Sequence, residues 1–212
     1  MRPGLFPRPI VVLATFGVPL ALLAAALFLQ VWRDLPLRHL LSDPAEWAVL
    51  PIYAGALSYV GVLGWAATGA IALFTAAALS GREDRREIRH LLVWAGFLSL
   101  WLCIDDLYTV HELILPRLGV SKTIGLAASG AFGLAYLAWN RDTLRQQRWG
   151  MLVLAMGAFA ISLVVDEIYG VKDDRSLWRL AEDGSKLVGI SLWLSFHVDT
   201  ALRALRKSRE PR

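Results

Sequence analysis

One cysteine, Cys103, is all the chain contains. A lone thiol closes no internal disulfide and builds no thiolate metal cluster, so neither kind of covalent staple holds the fold. Charge is scarce as well: Asp, Glu, Lys and Arg supply 19% of the 212 residues against 56% hydrophobic ones, and the mean hydropathy is +0.49. A soluble domain of this length requires far more polar surface, and would spread its apolar residues into periodic stripes instead of long runs. No internal repeat and no low-complexity tract is present. What remains is a single membrane domain with short loops.

A membrane crossing takes about 20 mostly apolar residues, and the chain has room for six. The runs predict an all-α, polytopic membrane bundle with spans near 10–32, 52–79, 91–115, 123–139, 151–168 and 184–205. An interfacial piece around Trp47–Tyr53 precedes the second span, whose glycines at 55, 61, 64 and 69 leave open a break in it. The N-terminus, with Arg2 and Arg8 ahead of an apolar run from Ile10 to Leu29, has the outline of a signal peptide. That run exceeds the roughly 7–15 residues of a cleaved signal core, so it reads as an uncleaved first helix. Cys103 lies in an apolar run as a small packing residue.

Basic residues set the orientation, because short loops carrying them stay in the cytoplasm. With the N-terminus inside, fourteen Lys and Arg face the cytoplasm, seven face the other side, and Lys186 falls within a span. Both termini are therefore expected in the cytoplasm, in the inner (plasma) membrane. The same asymmetry accounts for the net charge of +4 as an orientation and headgroup signal; the expected partner is the lipid bilayer, and no nucleic acid. Tryptophans 32, 47, 139, 149 and 178 lie near span ends, as an aromatic belt does. Gly125, Ser129 and Gly133 recur every fourth residue, a spacing that lets helices approach closely.

Ionisable groups within a bilayer are costly, about 2.5–3.5 kcal/mol each at mid-span on insertion scales, and so mark function by default. The third segment carries Asp105, Asp106, His111 and Glu112; the fifth ends in Asp166 and Glu167; the sixth opens with Glu182, Asp183 and Lys186. All three groups fall toward the non-cytoplasmic face. On an uninterrupted helix Asp105 and Glu112 share a face, with Tyr108 between them, while His111 and Glu112 point about 100° apart. Glu182, Ser185, Lys186 and Gly189 form one stripe of the sixth helix, which Trp193 and His197 extend inward. Asp105, about 15 Å below Pro116 at the helical rise, is the deepest acid.

Plainer roles compete with each of these. Asp166, Glu167, Glu182 and Asp183 suit wet loop edges or helix caps, with Asp183 placed to N-cap the sixth helix. Lys186 has Glu182 one turn away, or an acid of the third segment, for charge neutralisation. His111 fits a structural hydrogen bond as well as a ligand. His90, His197 and Asp199 read as interfacial at the inner face, and His39, Asp34, Asp43 and Glu46 as a solvated outer loop. Taken together, acids from three helices at one depth with a His and a Lys among them suit two uses. As a metal set, His111, Glu112, Asp166, Glu167, Glu182 and Asp183 match Zn, Fe or Mn, although the Glu-x-x-His pattern of di-metal bundles is absent. As acid–base groups, Asp105, Glu112 and Lys186 would be catalytic on a lipid-like substrate. A non-catalytic assembly protein and a proton-coupled transporter with an Asp105–Lys186 pair complete the set; the short chain without inverted repeats weighs against the last.

The run Cys103-Ile-Asp105-Asp106, then His111-Glu112, then an acidic pair opening the last helix with Lys186 and Gly189 downstream, resembles a group of bacterial multi-pass membrane proteins. That group has an Asp-acid-x4-His-Glu third helix and a Glu-acid-Gly last helix. The resemblance implies the layout and the site, and no activity. Glu182-Asp183-x-x-Lys186 is also similar to the Glu-Glu-x-x-Lys signature of glutamate-type intramembrane proteases. It departs from that signature in its second acid, and in lying on the last helix, where no later helix supplies further motifs.

Overall fold

The computed structural model describes residues 9–41, 48, 50–51, 53–169 and 177–207. Trp47, Asp43 and Glu46, along with Arg2, Arg8, Lys172, Arg175, Arg209 and Arg212, lie outside the described residues, as do the side chains of His39 and Arg179. The described chain is helical, with no strand among the described residues. Six long helices follow one another: α1 (Pro9–Arg33), α2 (Ala56–Ala78), α3 (Arg86–Tyr108), α4 (Lys122–Trp139), α5 (Gly150–Tyr169) and α6 (Leu177–Lys207). The chain divides into two compact units, Met1–Ala54 and Gly55–Arg212.

The first unit is α1 and a short helix, Arg38–Leu41. Leucines 20, 22, 23 and 27 of α1 are exposed, and Asp34, at φ +54°, turns the chain out of the helix. Phe28 stacks on Trp32, over which the Arg33 guanidinium sits at 4.3 Å.

In the second unit α2 packs between α3 and α6, α5 packs on α6, and α4 runs along α3, from the turn that follows α3 back to Trp94. Three of its helical segments, Ala56–Ala78, Glu83–Tyr108 and Gly150–Ile168, are long and apolar enough to cross a membrane. α4 opens on Lys122 and is diluted by Gly and Ser, and α6 carries charge near both ends. The outward faces are apolar: Leu63, Phe74, Phe97, Leu134, Leu154, Ile161 and Val164 are exposed. In hydrocarbon such faces cost nothing, while each backbone N–H and C=O is satisfied within its own helix.

α2 is an unbroken helix; its glycines are contact points and do not interrupt it. A Cβ on Gly69 would meet Leu100 at 2.8 Å, and one on Gly96 would meet Leu73 at 2.5 Å, so α2 and α3 touch glycine to glycine. Gly61 and Gly64 admit Ile190 of α6, and Gly189 of α6 admits Phe159 of α5. With lipid on the outside, close van der Waals packing through small residues replaces hydrophobic exclusion as the force joining helices. At the centre Trp65 stacks on Phe159 at 5.6 Å and meets Trp193 edge-on at 6.1 Å.

The third segment differs from the straight helix expected through residue 115. α3 ends at Tyr108; Thr109 is left-handed (φ +47°, ψ +47°), and residues Val110–Ile114 form a π turn before a short helix, Leu115–Arg117. Pro116 supplies the reason. It has no N–H for the carbonyl of Glu112, and its ring crowds that carbonyl, so the preceding turn cannot stay α-helical. α6 begins at Leu177, earlier than expected, which places Asp183 inside the helix and rules it out as the N-cap.

Candidate functional site

The break in α3 rearranges the acids that follow from it. Asp105 no longer shares a face with Glu112; its carboxylate turns back on the π turn instead. Asp105 Oδ1 accepts the backbone N–H of His111 at 2.9 Å, and Oδ2 lies 2.7 Å from His111 Nδ1. With the carboxylate as acceptor Nδ1 carries the ring hydrogen, and Nε2 faces Glu112, whose Oε1 is 3.8 Å away. His111 and Glu112, divergent on an ideal helix, thus converge on the π turn. α4 presses against this turn at Gly125, where a Cβ would fall 2.8 Å from the His111 Cβ. The Asp105 side chain is 5% exposed, that of His111 13% and that of Glu112 54%.

Asp106, the next residue, points about 100° away and meets other helices. Its Oδ1 accepts Lys186 Nζ of α6 at 2.7 Å and its Oδ2 accepts Trp65 Nε1 of α2 at 3.0 Å. Lys186 therefore has an acid of the third segment as its partner, and that acid is Asp106 and not Asp105. Asp166 at the end of α5 accepts Lys122 Nζ from the start of α4 at 2.9 Å. The hydrogen bond to Asp166 holds the Lys122 ammonium above its ordinary range, with Glu112 and Glu182 adding to the effect. Glu167 is exposed, Glu182 is half-buried, and Asp183 is exposed within electrostatic reach of Lys186. Among the described residues no three His, Cys, Asp or Glu side chains converge as a metal-ligand set.

These groups occupy one end of the second unit: the C-terminal ends of α3 and α5 and the N-terminal ends of α4 and α6. The depth coincidence in the sequence is thus a real clustering, resolved into three pairs, Asp105–His111, Asp106–Lys186 and Asp166–Lys122. The sequence offers an acid of the third segment to Lys186 without choosing between Asp105 and Asp106, and leaves Lys122 in a loop; the signal for Asp106 is its 100° offset from Asp105 toward a different neighbour.

Deeper in the unit, another polar chain proves structural. His197, expected at the interface, is fully buried; its Nδ1 lies 2.8 Å from the Trp193 carbonyl and its Nε2 3.0 Å from the Tyr136 hydroxyl. Trp193 Nε1 donates to Ser99 Oγ at 2.9 Å, and Trp101 Nε1 donates to Ser129 Oγ at 2.9 Å. Of the three small residues spaced by four in α4, Gly125 and Ser129 serve contacts, whereas a Cβ on Gly133 would meet open space. His90 is exposed and accepts from Trp94 Nε1. Asp199 is tied to Arg203 one turn on.

A family model described as a domain of unknown function (DUF8692) matches residues 14–200 of this chain. No curated protein matches the chain. No solved structure matches it either.

Proposed function

Since the chain belongs to the DUF8692 family, a membership that brings no chemistry with it, we propose its function from geometry: a multi-pass membrane enzyme acting on a lipid-like substrate at the non-cytoplasmic face. His111 transfers the proton, Asp105 orients it, and Glu112 is the neighbouring acid. One observation carries this reading. Both oxygens of a buried carboxylate are spent on a single histidine, one on its backbone and one on its ring. That arrangement fixes the tautomer and aims Nε2, which is what a general base or a metal ligand requires. Lys186 lies within electrostatic reach of both Asp105 and His111, so its ammonium is placed to balance the Asp105 carboxylate and negative charge developing on a substrate held at His111. Leu107, Tyr108, Leu113 and Leu118 around the turn are exposed, which favours a substrate with an apolar tail.

In the metal-dependent form of the same reading, His111 Nε2 and Glu112 take a divalent cation such as Zn, Fe or Mn, with Asp105 as the outer carboxylate. Asp166 is committed to Lys122 in that arrangement. The reading also includes six crossings, both termini in the cytoplasm and the inner membrane as location, supported by the two-to-one distribution of basic residues.

An alternative, a non-catalytic assembly protein, is favoured by a different observation: Lys122–Asp166 and Lys186–Asp106 each join two helices. The deciding experiment compares membrane lipids, by mass spectrometry, from cells making the wild-type protein, His111→Gln or Asp105→Asn, with elemental analysis of each purified protein. A lipid species altered by wild type alone, at equal protein level, supports the enzyme. Identical lipid profiles with all three folded proteins sink it and leave the assembly reading.

A further inference from the structure

At the end of the second unit opposite to His111, a cleft of about 990 Å³ opens where the C-terminal half of α2, the start of α3 and the end of α4 meet. Its volume is at the upper end of the roughly 300–1,000 Å³ typical of small-molecule sites. The lining changes character along its length. Toward the middle of the unit it is apolar, formed by Leu73, Ala77, Val93 and Phe97, with Trp139 at the edge. Phe97 is 57% and Trp139 65% exposed, so this wall is open on the side that faces hydrocarbon. Toward the end of the unit it becomes charged, with Arg86, Arg89 and His90 and the acids Glu87 and Asp142.

The charges there leave a positive excess, because Glu87 offsets only one of the two arginines and Asp142 is answered from outside the lining. Asp142, also in the lining, is held by Arg141 and Arg145, at 3.6 and 4.0 Å. For Arg86 and Arg89 no ion pair is formed among the described residues. His90 Nε2 accepts the Trp94 indole N–H at 3.0 Å, which leaves the hydrogen of its ring on Nδ1. A site with an apolar wall leading to two guanidiniums and an imidazole donor is complementary to one molecule type: an acyl chain ending in a phosphate. Arginine suits that phosphate because its fork donates two parallel hydrogen bonds, and basic pockets between membrane helices recruit anionic headgroups.

We propose that this cleft is a binding site for an anionic glycerophospholipid, with its phosphate on Arg86 and Arg89 and an acyl chain along Leu73, Val93 and Phe97. The site is separate from the Asp105–His111 pair and stands whether or not that pair is catalytic. Free phosphate shares the headgroup chemistry, but it has no use for the apolar wall.

Native mass spectrometry of the full chain in detergent tests this directly. The protein is titrated with dioleoylphosphatidylglycerol, with dioleoylphosphatidylcholine, and with glycerol 3-phosphate as competitor. Wild type is expected to hold phosphatidylglycerol at least tenfold more tightly than phosphatidylcholine, and glycerol 3-phosphate is expected not to displace it. Arg86→Gln with Arg89→Gln removes the phosphate partners, and Ala77→Trp fills the apolar end without altering charge; each is expected to weaken phosphatidylglycerol binding at least tenfold. Arg148→Gln, a basic residue outside the cleft, is expected to change it less than twofold. Wild-type affinity in either cleft variant, equal binding of the two lipids, displacement by glycerol 3-phosphate, or an equal loss in Arg148→Gln overturns the proposal. If the double variant does not fold, Ala77→Trp decides alone.

Discussion

Asp105 and Asp106 are adjacent, chemically identical and within one turn of the same helix end, yet they do opposite work. Asp105 acts locally: both its oxygens serve His111, six residues on. Asp106 acts at long range, joining α2 through Trp65 and α6 through Lys186. A rotation of about 100° between successive residues separates the two tasks. Asp105 turns back under the π turn, and Asp106 reaches across the bundle. The comparison teaches that a pair of acids in a membrane helix is two sites, one fixing a histidine and the other fixing helices, and each is testable apart from the other.

The largest effect is expected at the long-range acid. Lys186→Met leaves the Asp106 carboxylate, 12% exposed, without its cation. Breaking one side of an enclosed pair costs roughly 3–5 kcal/mol; because the Lys186 side chain is 41% exposed, water offsets part of this and about 2 kcal/mol remains. Adding Asp106→Asn should recover much of that loss. Denaturant unfolding in micelles reads both, and a double variant no better than the single one would show that the pair does not hold α3 to α6.

The local acid should behave differently. Asp105→Asn keeps an acceptor for the His111 backbone N–H but sets an amide N–H₂ against the ring, so Nδ1 must become the acceptor and the hydrogen moves to Nε2. A stability loss of about 1 kcal/mol is expected, together with a changed ¹⁵N signature of the His111 ring, assigned by its disappearance in His111→Gln. Asp106→Asn should leave that signature in place. If both asparagine variants shift it alike, the division of labour fails.

Much of this arrangement is legible in the residues alone. Long apolar runs with few breakers specify the helices, because a backbone without water can satisfy itself only in that form. The stripe Glu182, Ser185, Lys186, Gly189, Trp193 and His197 is real because α6 is regular there. What escapes is everything dependent on the break at Thr109. Pro116 acts through the carbonyl of Glu112, four residues upstream, and the break falls three residues before that, an influence no apolar pattern records. The choice of Asp106 over Asp105 by Lys186, and the burial of His197 behind Tyr136, depend on which helices are neighbours, and local sequence does not encode adjacency.

The break itself can be probed with a gentle change. Thr109 is a β-branched residue at φ +47°, a region where a side chain is strained and glycine is not. Its hydroxyl bonds only the adjacent Tyr108 carbonyl, at 2.8 Å. Thr109→Gly is therefore expected to be neutral or to stabilise by about 0.5 kcal/mol, with the His111 ring signature unchanged. Glycine inside an ordinary helix would instead cost about 1 kcal/mol, so a loss of that size means the turn is α-helical and the local role of Asp105 collapses with it.

The smallest effect separates Asp106–Lys186 from the other inter-helix pair. Lys122–Asp166 has a similar distance, 2.9 Å, but its side chains are 43% and 30% exposed, so solvent screens it. A double-mutant cycle with Lys122→Met and Asp166→Asn should give a coupling of about 0.5 kcal/mol, falling as salt is raised. The sign of its pH dependence follows from the raised affinity of Lys122 for its proton, caused first by the Asp166 hydrogen bond. The folded protein keeps that proton to higher pH than the unfolded chain does. The coupling is therefore full below the ordinary lysine range and is lost as pH rises through the raised value of the folded state. A coupling that grew under alkaline conditions, or exceeded that of Asp106 with Lys186, would reverse the ranking drawn from burial and make α4–α5 the junction that charge holds together.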